Sequence, residues 1–202
     1  MIRPTLLQSA IARLTIIFGL VASTHAFALQ PPKTDTTVNA AGIEVFFTPG
    51  DDTAGKIIEA IRGARKQVLV QAFSFTHPGI AKALIAAHQR GIEVKLIADL
   101  EQTRKIRRNR IAEIAAAGVP VWLDGEHNGA HNKVMIIDAH SANIADVTVI
   151  TGSYNFTNAA QYRNAENVLL IRANRSLAEA YHANWQRHLP HARPFSTVKV
   201  RY

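Results

Sequence analysis

Short apolar runs alternate with amphipathic stretches along most of this chain. The apolar runs, rich in β-branched residues, predict strands at 43–47, 67–75, 92–98, 119–123, 134–137, 147–151 and 168–171. Apolar residues three or four positions apart predict helices at 53–65, 78–90, 100–117 and 176–188, the last with Leu177, Ala180, Tyr181 and Trp185 on its buried side. Strands and helices that alternate at these lengths predict a layered α/β domain.

The first 28 residues have the pattern of a signal peptide. Arg3 and Arg13 provide positive charge, the apolar stretch 14–22 is too short to cross a bilayer, and Ala26–Ala28 has the small-residue form of a cleavage site. An uncleaved membrane anchor is the alternative, which the short apolar stretch disfavours. We therefore expect export to the periplasm or the medium, without stable membrane insertion after cleavage.

The composition of the remaining chain narrows the possible functions. Residues 29–41 are polar and predict a linker, which leaves 42–202 as one folded domain. The formal net charge is +8, and removing the charges of Arg3 and Arg13 leaves +6, which suits a polyanion such as nucleic acid or an anionic membrane face. The chain has no cysteine, which excludes disulfides, a cysteine nucleophile and thiolate zinc sites.

The entry to the predicted strand 134–137 carries the first chemical signal. Side chains alternate along a strand, so His131 and Lys133 point the same way. An imidazole can act as a nucleophile or proton carrier near neutral pH, and an ammonium group neutralises an anion. The pair predicts chemistry on a phosphate. Asp138, seven residues past His131, is predicted to support the site rather than to touch the substrate.

A second polar group follows the predicted strand 147–151. Ser153 and Asn155 share one face, and both side chains can form hydrogen bonds with phosphate oxygens. Glu166, which leads into the next strand, can accept a proton from the far nitrogen of His131 and fix its tautomer. The polar segment 139–146 between the two groups predicts a surface hairpin.

The order His-x-Lys-x4-Asp, then Gly-Ser-x-Asn-Phe-Thr and Ala-Glu-Asn, resembles the signature of the phospholipase D superfamily. It most resembles the small bacterial nucleases of that superfamily, which carry the motif once per chain, and the similarity extends from about Ile43 to about His188. The resemblance implies a mixed β-sheet sandwiched between helices, and no cofactor. It also implies a site made of His131, Lys133, Asp138, Ser153, Asn155 and Glu166.

A single copy of the motif supplies one imidazole, whereas cleavage of a phosphodiester needs a nucleophile and an acid. The resemblance therefore implies a homodimer with one site on the two-fold axis. His131 of one subunit would form a phosphohistidine, and His131 of the other would protonate the leaving oxygen. The two Lys133 side chains would supply the charge neutralisation that a divalent metal often provides, so we expect no catalytic metal.

Three functions remain open at this stage. The first is an exported, metal-independent endonuclease of low sequence specificity, with DNA and possibly RNA as substrate. The second is a phospholipase D that acts on phospholipid headgroups, which the lack of an amphipathic helix with clustered Trp or Phe disfavours. The third is a non-catalytic nucleic-acid-binding protein, which the complete motif disfavours.

The predicted helix 100–117 contains a run of basic residues. On a continuous helix, Arg104, Arg107 and Arg108 share one face. This face either follows a nucleic-acid backbone beside the site or is an ordinary solvated surface. The full run is Arg104, Lys105, Arg107, Arg108 and Arg110.

His127 precedes His131 by four residues, a spacing that can form a metal pair on a helix. Gly129 and the loop composition argue against a helix here, and Lys133 would repel a cation. No metal site is therefore predicted. The histidines predicted to lie on helix surfaces without a special role are His88, His182 and His188.

Overall fold

The computed structural model describes residues 37–38 and 42–198 of the chain. Contacts divide the chain into two units, Met1–Gln30 and Pro31–Tyr202, and every described residue belongs to the second. The predicted signal peptide and its cleavage position lie outside the described residues. Across the described ranges, no helix is both long and apolar enough to span a membrane.

One mixed sheet organises the described part of the chain. Its strands are β1 (Thr37–Val38), β2 (Ile43–Thr48), β3 (Gln67–Ala72), β4 (Glu93–Asp99), β5 (Val121–Asp124), β6 (Lys133–Ile137), β7 (Thr148–Gly152), β8 (Glu166–Arg172) and β9 (Arg193–Pro194). The helices are α1 (Thr53–Gly63), α2 (Pro78–Gln89), α3 (Leu100–Lys105), α4 (Ile111–Ala116), α5 (Asn158–Tyr162) and α6 (Arg175–His188). The strand order is β1-β2-β8-β7-β6-β3-β4-β5-β9, with β3, β4 and β5 parallel and the other neighbours antiparallel.

Helices cover both faces of the sheet, which confirms the predicted α/β sandwich. On one face, Val70, Leu96 and Met135 belong to a core that includes buried residues of α1, α2 and α4. On the other face, α6 packs against β6 and β7. Its Trp185 is fully buried, and the indole N–H donates to the carbonyl oxygen of Val70 at 3.0 Å. The sheet is therefore held between two apolar layers, as this fold class requires.

Several helices begin where a side chain can satisfy their first backbone N–H groups. Asp52, Asp99 and Asn174 accept such hydrogen bonds at the starts of α1, α3 and α6. Pro78 occupies the first turn of α2, where its missing N–H has no cost. The caps place α3 directly after β4, at the same end of the sheet as the site residues.

The predicted helix 100–117 is two helices, α3 and α4, and not one. The side chain of Asn109 donates to the carbonyl oxygens of Thr103 and Ile106 at 2.9 and 2.7 Å, and accepts from the N–H of Ile111 at 3.0 Å. An Asn side chain that binds backbone groups in this way replaces the hydrogen bonds of a continuous helix. The prediction that Arg104, Arg107 and Arg108 share one helix face is therefore wrong.

Smaller differences concern the two ends of the domain. Thr37–Val38, within the predicted linker, pairs with β2 as the short strand β1. In α6, Ala178 is buried and Ala180 is exposed, so the buried side is centred on Ala178 and Trp185.

The predicted hairpin 139–146 does connect the antiparallel strands β6 and β7, and it includes a 3₁₀ turn at Ile144–Asp146.

The strands that carry the motifs meet at one edge of the sheet. In the antiparallel set, β6 begins, β7 ends and β8 begins there, because Val134 pairs with Thr151. The parallel strands β3 and β4 also end there, since Ala72 pairs with Lys133. In open α/β sheets this carboxyl-terminal edge is where ligands bind.

Candidate active site

His131 and Lys133 lie together at this edge. The Lys133 Nζ is 2.7 Å from His131 Nδ1 and donates to the carbonyl oxygen of His131 at 2.6 Å. The ring of Phe73 lies 4.2 Å from the His131 ring, and the Lys133 Nζ is 4.8 Å from its centroid, a cation–π distance. His131 is exposed and Lys133 is only 7% exposed. The imidazole is therefore accessible to a substrate, while the ammonium group is largely removed from water.

The burial of Lys133 changes its acid–base behaviour. Burial lowers the pKa of Lys133 to about 8, although the carboxylate of Glu166 acts in the opposite direction. The side chain is still charged at neutral pH. A cation that has lost most of its hydration interacts more strongly with an incoming anion than a fully hydrated one. Lys133 is thus suited to neutralise a phosphate beside His131.

Ser153 and Glu166 form the second half of the site. The Ser153 hydroxyl donates to Glu166 Oε2 at 2.6 Å and accepts from the N–H of Asn167 at 3.1 Å. The Asn164 side chain donates to the other carboxylate oxygen, Oε1, at 2.9 Å. Both oxygens of Glu166 are therefore hydrogen-bonded, one to the residue that follows β7 and the other to Asn164, which precedes β8. This arrangement fixes the direction of the Ser153 hydroxyl.

The expected contact between Glu166 and His131 is not present among the described residues. Glu166 uses its two oxygens for Ser153 and Asn164, while His131 Nδ1 contacts the Lys133 Nζ. Within one chain the two groups are therefore not in contact, and the role of Glu166 in fixing the tautomer of His131 stays a prediction. In this chain the carboxylate orients Ser153 and acts on Lys133 through charge.

Packing explains why the Gly-Ser-x-Asn motif has a glycine at position 152. A Cβ on Gly152 would overlap the carbonyl oxygen of Asn167 on β8. Only a residue without a side chain permits this close approach of the two backbones. The approach allows the N–H of Asn167 to reach the Ser153 hydroxyl.

Asn155 follows Ser153 in the turn that leads to α5. Its main-chain carbonyl oxygen accepts from the N–H of Thr157 at 2.6 Å. Its side-chain Oδ1 is buried and takes no hydrogen bond from the residues that the structure describes. An amide group can exchange its oxygen and nitrogen positions by a half-turn. Asn155 therefore has hydrogen-bonding capacity available for a phosphate oxygen.

Asp138 lies at the opposite end of β6 from Lys133. Its carboxylate accepts from the backbone N–H groups of Arg65, Lys66 and Gln67 at 2.7, 2.7 and 2.8 Å. The residue is 2% exposed and has a positive φ of 52°. The structure does not bring Asp138 together with the other motif residues. Its position is that of a supporting residue that joins β6 to the segment between α1 and β3.

The five basic residues between Arg104 and Arg110 are divided among the end of α3, an exposed turn and the start of α4. Lys105 is paired with Glu101 at 2.7 Å, and Arg110 with Glu113 at 2.9 Å. The backbone N–H of Arg110 donates to the carbonyl oxygen of Phe75, which places the run beside the end of β3. Within 42–198, the members of the run that form no ion pair with a carboxylate are Arg104, Arg107 and Arg108.

Asp99 is a buried residue that the sequence pattern does not single out. One of its oxygens accepts from the N–H of Gln102 at 2.6 Å, and the other accepts from the N–H of Ala130 at 2.8 Å. A single carboxylate thus joins the start of α3 to the loop that ends at His131. The sequence signal was only its place at the end of a buried strand.

Three histidines surround Asp124 at the end of β5. The Asp124 carboxylate lies 3.3 Å from His127 Nδ1, 2.9 Å from His188 Nδ1 and 3.3 Å from His191 Nε2. The prediction that His188 is an ordinary surface histidine is wrong, because it is hydrogen-bonded to a fully buried carboxylate. His127 and His131 do not form the metal-binding pair that their spacing would allow on a helix. His127 belongs to this second cluster instead.

The environment of Asp124 keeps it ionised. Burial acts to raise its pKa, but hydrogen bonds from His188, from the N–H of Glu126 and from His127 outweigh this effect and hold the pKa below its ordinary value. The group is therefore a carboxylate at neutral pH.

Comparison with known proteins gives a consistent assignment. The family described as "Cardiolipin synthase, PLD-like domain" matches residues 57–189. A protein named phospholipase D from Rickettsia prowazekii is 33% identical over 175 residues, which cover 85% of this chain and 81% of that protein. The crystal structure of Nuc from Salmonella typhimurium, described as a phospholipase D family member, is 35% identical and covers 76% of this chain and 97% of its own, with a TM-score of 0.69. NucT from Helicobacter pylori is 25% identical with a TM-score of 0.66, covering 76% of this chain and 98% of its own. The chain therefore belongs to the phospholipase D superfamily of phosphodiesterases, as its His-x-Lys and Gly-Ser-x-Asn motifs predict.

Proposed function

We propose that this protein is an exported endonuclease that cleaves nucleic acid with low sequence specificity and without a catalytic metal. The observation that carries the proposal is the exposed His131 imidazole beside the buried Lys133 ammonium, at the sheet edge that also holds Ser153. DNA is the expected substrate, and RNA is a second one that the same chemistry would accept. The export rests on the signal-peptide pattern of the first 28 residues.

The reaction proceeds in two displacements at phosphorus. In the first, the imidazole of His131 attacks phosphorus, an N–P bond forms, and the bond from phosphorus to the leaving oxygen breaks. His131 of the partner subunit, in its protonated form, gives its proton to that oxygen. In the second, the same partner imidazole takes a proton from water, and the resulting hydroxide displaces the first histidine from phosphorus. Both imidazoles return to their starting protonation states.

The ring nitrogen that attacks must carry a lone pair. The Lys133 Nζ lies beside Nδ1 of His131, which leaves Nε2 as the nitrogen directed to the chemistry. Attack through Nε2 requires the ring proton to be on Nδ1. An incoming phosphate would draw the ammonium group of Lys133 toward its own oxygens and away from Nδ1. Nδ1 would then be free to hold the ring proton, which leaves the lone pair on Nε2. Substrate binding and activation of the nucleophile are then coupled through Lys133.

Charge neutralisation comes from side chains of the chain itself. As negative charge develops on the phosphate oxygens, Lys133 supplies a positive charge, and Ser153 and Asn155 supply hydrogen bonds. In the dimer each of these groups is present twice. The requirement for two imidazoles from chains with a single motif is the reason for placing the site on a two-fold axis.

The similarity to Nuc and NucT supports a nucleic-acid substrate. This chain matches these two proteins over 97% and 98% of their own lengths. The exposed turn with Arg107 and Arg108 lies beside the same sheet edge and offers charge to a polyanion.

A phospholipase D activity on phospholipid headgroups is the second candidate. It is favoured by the sequence relatives that carry the name phospholipase D. The mechanism above would serve a phospholipid equally well, because both substrates are phosphodiesters. The surface around the site decides between them.

One experiment separates the candidates. The mature protein is incubated in parallel with supercoiled plasmid, single-stranded RNA and phosphatidylcholine vesicles, each with the His131→Ala variant as control. Plasmid nicking that His131→Ala lacks, without choline release, is the expected result. Choline release without nicking would establish the lipid activity, and plasmid retention without either reaction would identify a binding protein.

A further inference from the structure

The second histidine cluster has the composition of a metal site. We call Asp124, His127, His188 and His191 the His–Asp cluster. Each residue offers one ligand atom, and these four atoms lie within 4.8 Å of one another. They come from distant parts of the chain: the end of β5, the loop after it, and the end of α6 with the 3₁₀ turn that follows.

The number and type of donors fit a tetrahedral transition-metal ion. Three imidazoles and one carboxylate are four ligands of the types that zinc uses in proteins. At a metal–ligand distance of about 2.0 Å, tetrahedral ligand atoms are separated by about 3.3 Å. The carboxylate of Asp124 already lies 2.9 to 3.3 Å from a nitrogen of each histidine. Small side-chain rotations would therefore complete the geometry.

The charges around the cluster also favour a cation. Buried carboxylates are usually paired with Lys or Arg. In the described residues, the ion-pair partners of the fully buried Asp124 are instead His127, His188 and His191. The Asp124 carboxylate is further oriented by the N–H of Glu126 at 3.1 Å, as outer contacts orient metal ligands. The His127 side chain is 46% exposed, so an ion can reach the cluster from solvent.

We propose that the His–Asp cluster binds one zinc ion per chain and that this ion fastens α6 to β5 and to the loop that leads to His131. The loop runs from Gly125 to Asn132, with His127 near its start and His131 near its end. The role is structural, since His131 and Lys133 are not among the ligands. The proposal does not depend on the nuclease activity, because its tests measure bound metal and thermal stability.

The test uses the full chain produced without a polyhistidine tag. The protein is stripped with EDTA, dialysed against zinc chloride and then against buffer, and its metal content is measured by mass spectrometry. One zinc per chain is expected. The chain has two tryptophans, Trp122 and Trp185, which lie two and three residues before Asp124 and His188. Their fluorescence provides a label-free measure of zinc affinity.

Single substitutions identify the ligands. His127→Ala removes an exposed ligand and should leave the fold intact, and His188→Ala removes one at the end of α6. Each should weaken zinc binding by at least about 100-fold, since loss of an outer contact alone costs 10 to 100-fold. His182→Ala is the matched control, because His182 also lies on α6 but contacts His140, with ring centroids 4.5 Å apart. It should bind zinc as the wild-type protein does.

Thermal unfolding gives a second readout. Zinc at 100 times its Kd should raise the Tm of the wild-type protein and of His182→Ala by about 5 to 10 °C. The same zinc concentration should leave the Tm of His127→Ala nearly unchanged. A wild-type protein that retains no zinc would overturn the proposal. An equal loss of zinc binding in His182→Ala and His127→Ala would also overturn it. Zinc binding that neither substitution weakens would do the same.

Discussion

Replacing Lys133 by Met should make the protein more stable at neutral pH while it abolishes activity. The ordinary pKa of a lysine is 10.5, and that of Lys133 is about 8. Holding its charge in the folded protein at pH 7 therefore costs about 3 kcal/mol. The partners of the ammonium group belong to His131, which is exposed, so water can replace the lost hydrogen bonds. We expect Lys133→Met to raise the free energy of unfolding at pH 7 by about 1 to 3 kcal/mol.

The sign of the pH dependence follows from proton counting. Below pH 8 the lysine is charged in the folded and the unfolded chain, so the cost is constant. Between pH 8 and pH 10.5 the unfolded chain holds more protons than the folded one, and the stability of the wild-type protein rises with pH through this group. Lys133→Met lacks the effect. Its advantage over the wild-type protein should therefore shrink by about 2 kcal/mol between pH 7 and pH 10.

Urea denaturation at pH 7 and pH 10, at equal protein concentrations, measures this difference. Other groups titrate in both proteins, so their contributions cancel. Lys56→Met is the matched control, because Lys56 is a half-exposed lysine on α1 paired with Glu59. It should change the free energy of unfolding by less than about 0.5 kcal/mol at either pH. An advantage of Lys133→Met that is the same at both pH values would refute the argument from burial.

Activity needs the charged form of Lys133, whereas the same charge lowers the stability of the folded protein. The kcat/KM of the wild-type protein should fall above pH 8, as the ammonium group of the free protein loses its proton. A site that is strained for function in this way lowers stability.

Three further outcomes test other parts of the site. Cleavage at 25 °C should persist in excess EDTA because Lys133 supplies the neutralising charge; complete loss, restored by magnesium, would contradict the mechanism. Asp138→Asn should lower the free energy of unfolding by about 2 to 4 kcal/mol in urea denaturation, since three backbone N–H groups lose a charged acceptor; a loss below 1 kcal/mol would exclude the supporting role. Changing Arg104, Arg107 and Arg108 together to Gln should weaken DNA binding equally across sequences and flatten its salt dependence, with about one unit of slope for each phosphate contact removed. An unchanged slope would identify these residues as ordinary solvated surface.

The strands and the motif residues were predictable because their signals are local. Strand β6 consists of Lys133 followed by an unbroken apolar run. The two-residue spacing of His131 and Lys133 predicted their contact, which the structure shows at the start of this strand. The break between α3 and α4 was harder to predict, because it depends on which backbone groups the side chain of Asn109 binds.

Contacts between distant segments could not be read from the sequence. Asp124 and His188 are 64 residues apart, and nothing in the spacing of either indicates the other. They meet because α6 crosses the sheet and ends beside β5, which depends on the packing of Trp185. The helix phase is set in the same way: Ala178 and not Ala180 is buried, and the apolar pattern could not choose between two residues of the same type.

The proposed dimer can be tested by mixing subunits. One chain provides one His131, while the two displacements need two imidazoles in opposite protonation states. One imidazole acts as a base while the other acts as an acid, so the rate should have a bell-shaped dependence on pH. His131→Ala should abolish cleavage and leave folding and DNA binding largely intact, since the side chain is exposed.

Mixing wild-type and His131→Ala chains then creates heterodimers with a single catalytic imidazole. If the subunits exchange freely, an active dimer needs two wild-type chains, so activity should fall as the square of the wild-type fraction. Mixing the wild-type protein with Lys56→Met provides the control, because every dimer in that mixture keeps both imidazoles and the activity should stay constant. Exchange itself is verified by native mass spectrometry, in which the heterodimer has its own mass. If activity fell in direct proportion to the wild-type fraction while heterodimers were present, each chain would act alone, and the second imidazole would have to be replaced in the mechanism by another acid from the same chain.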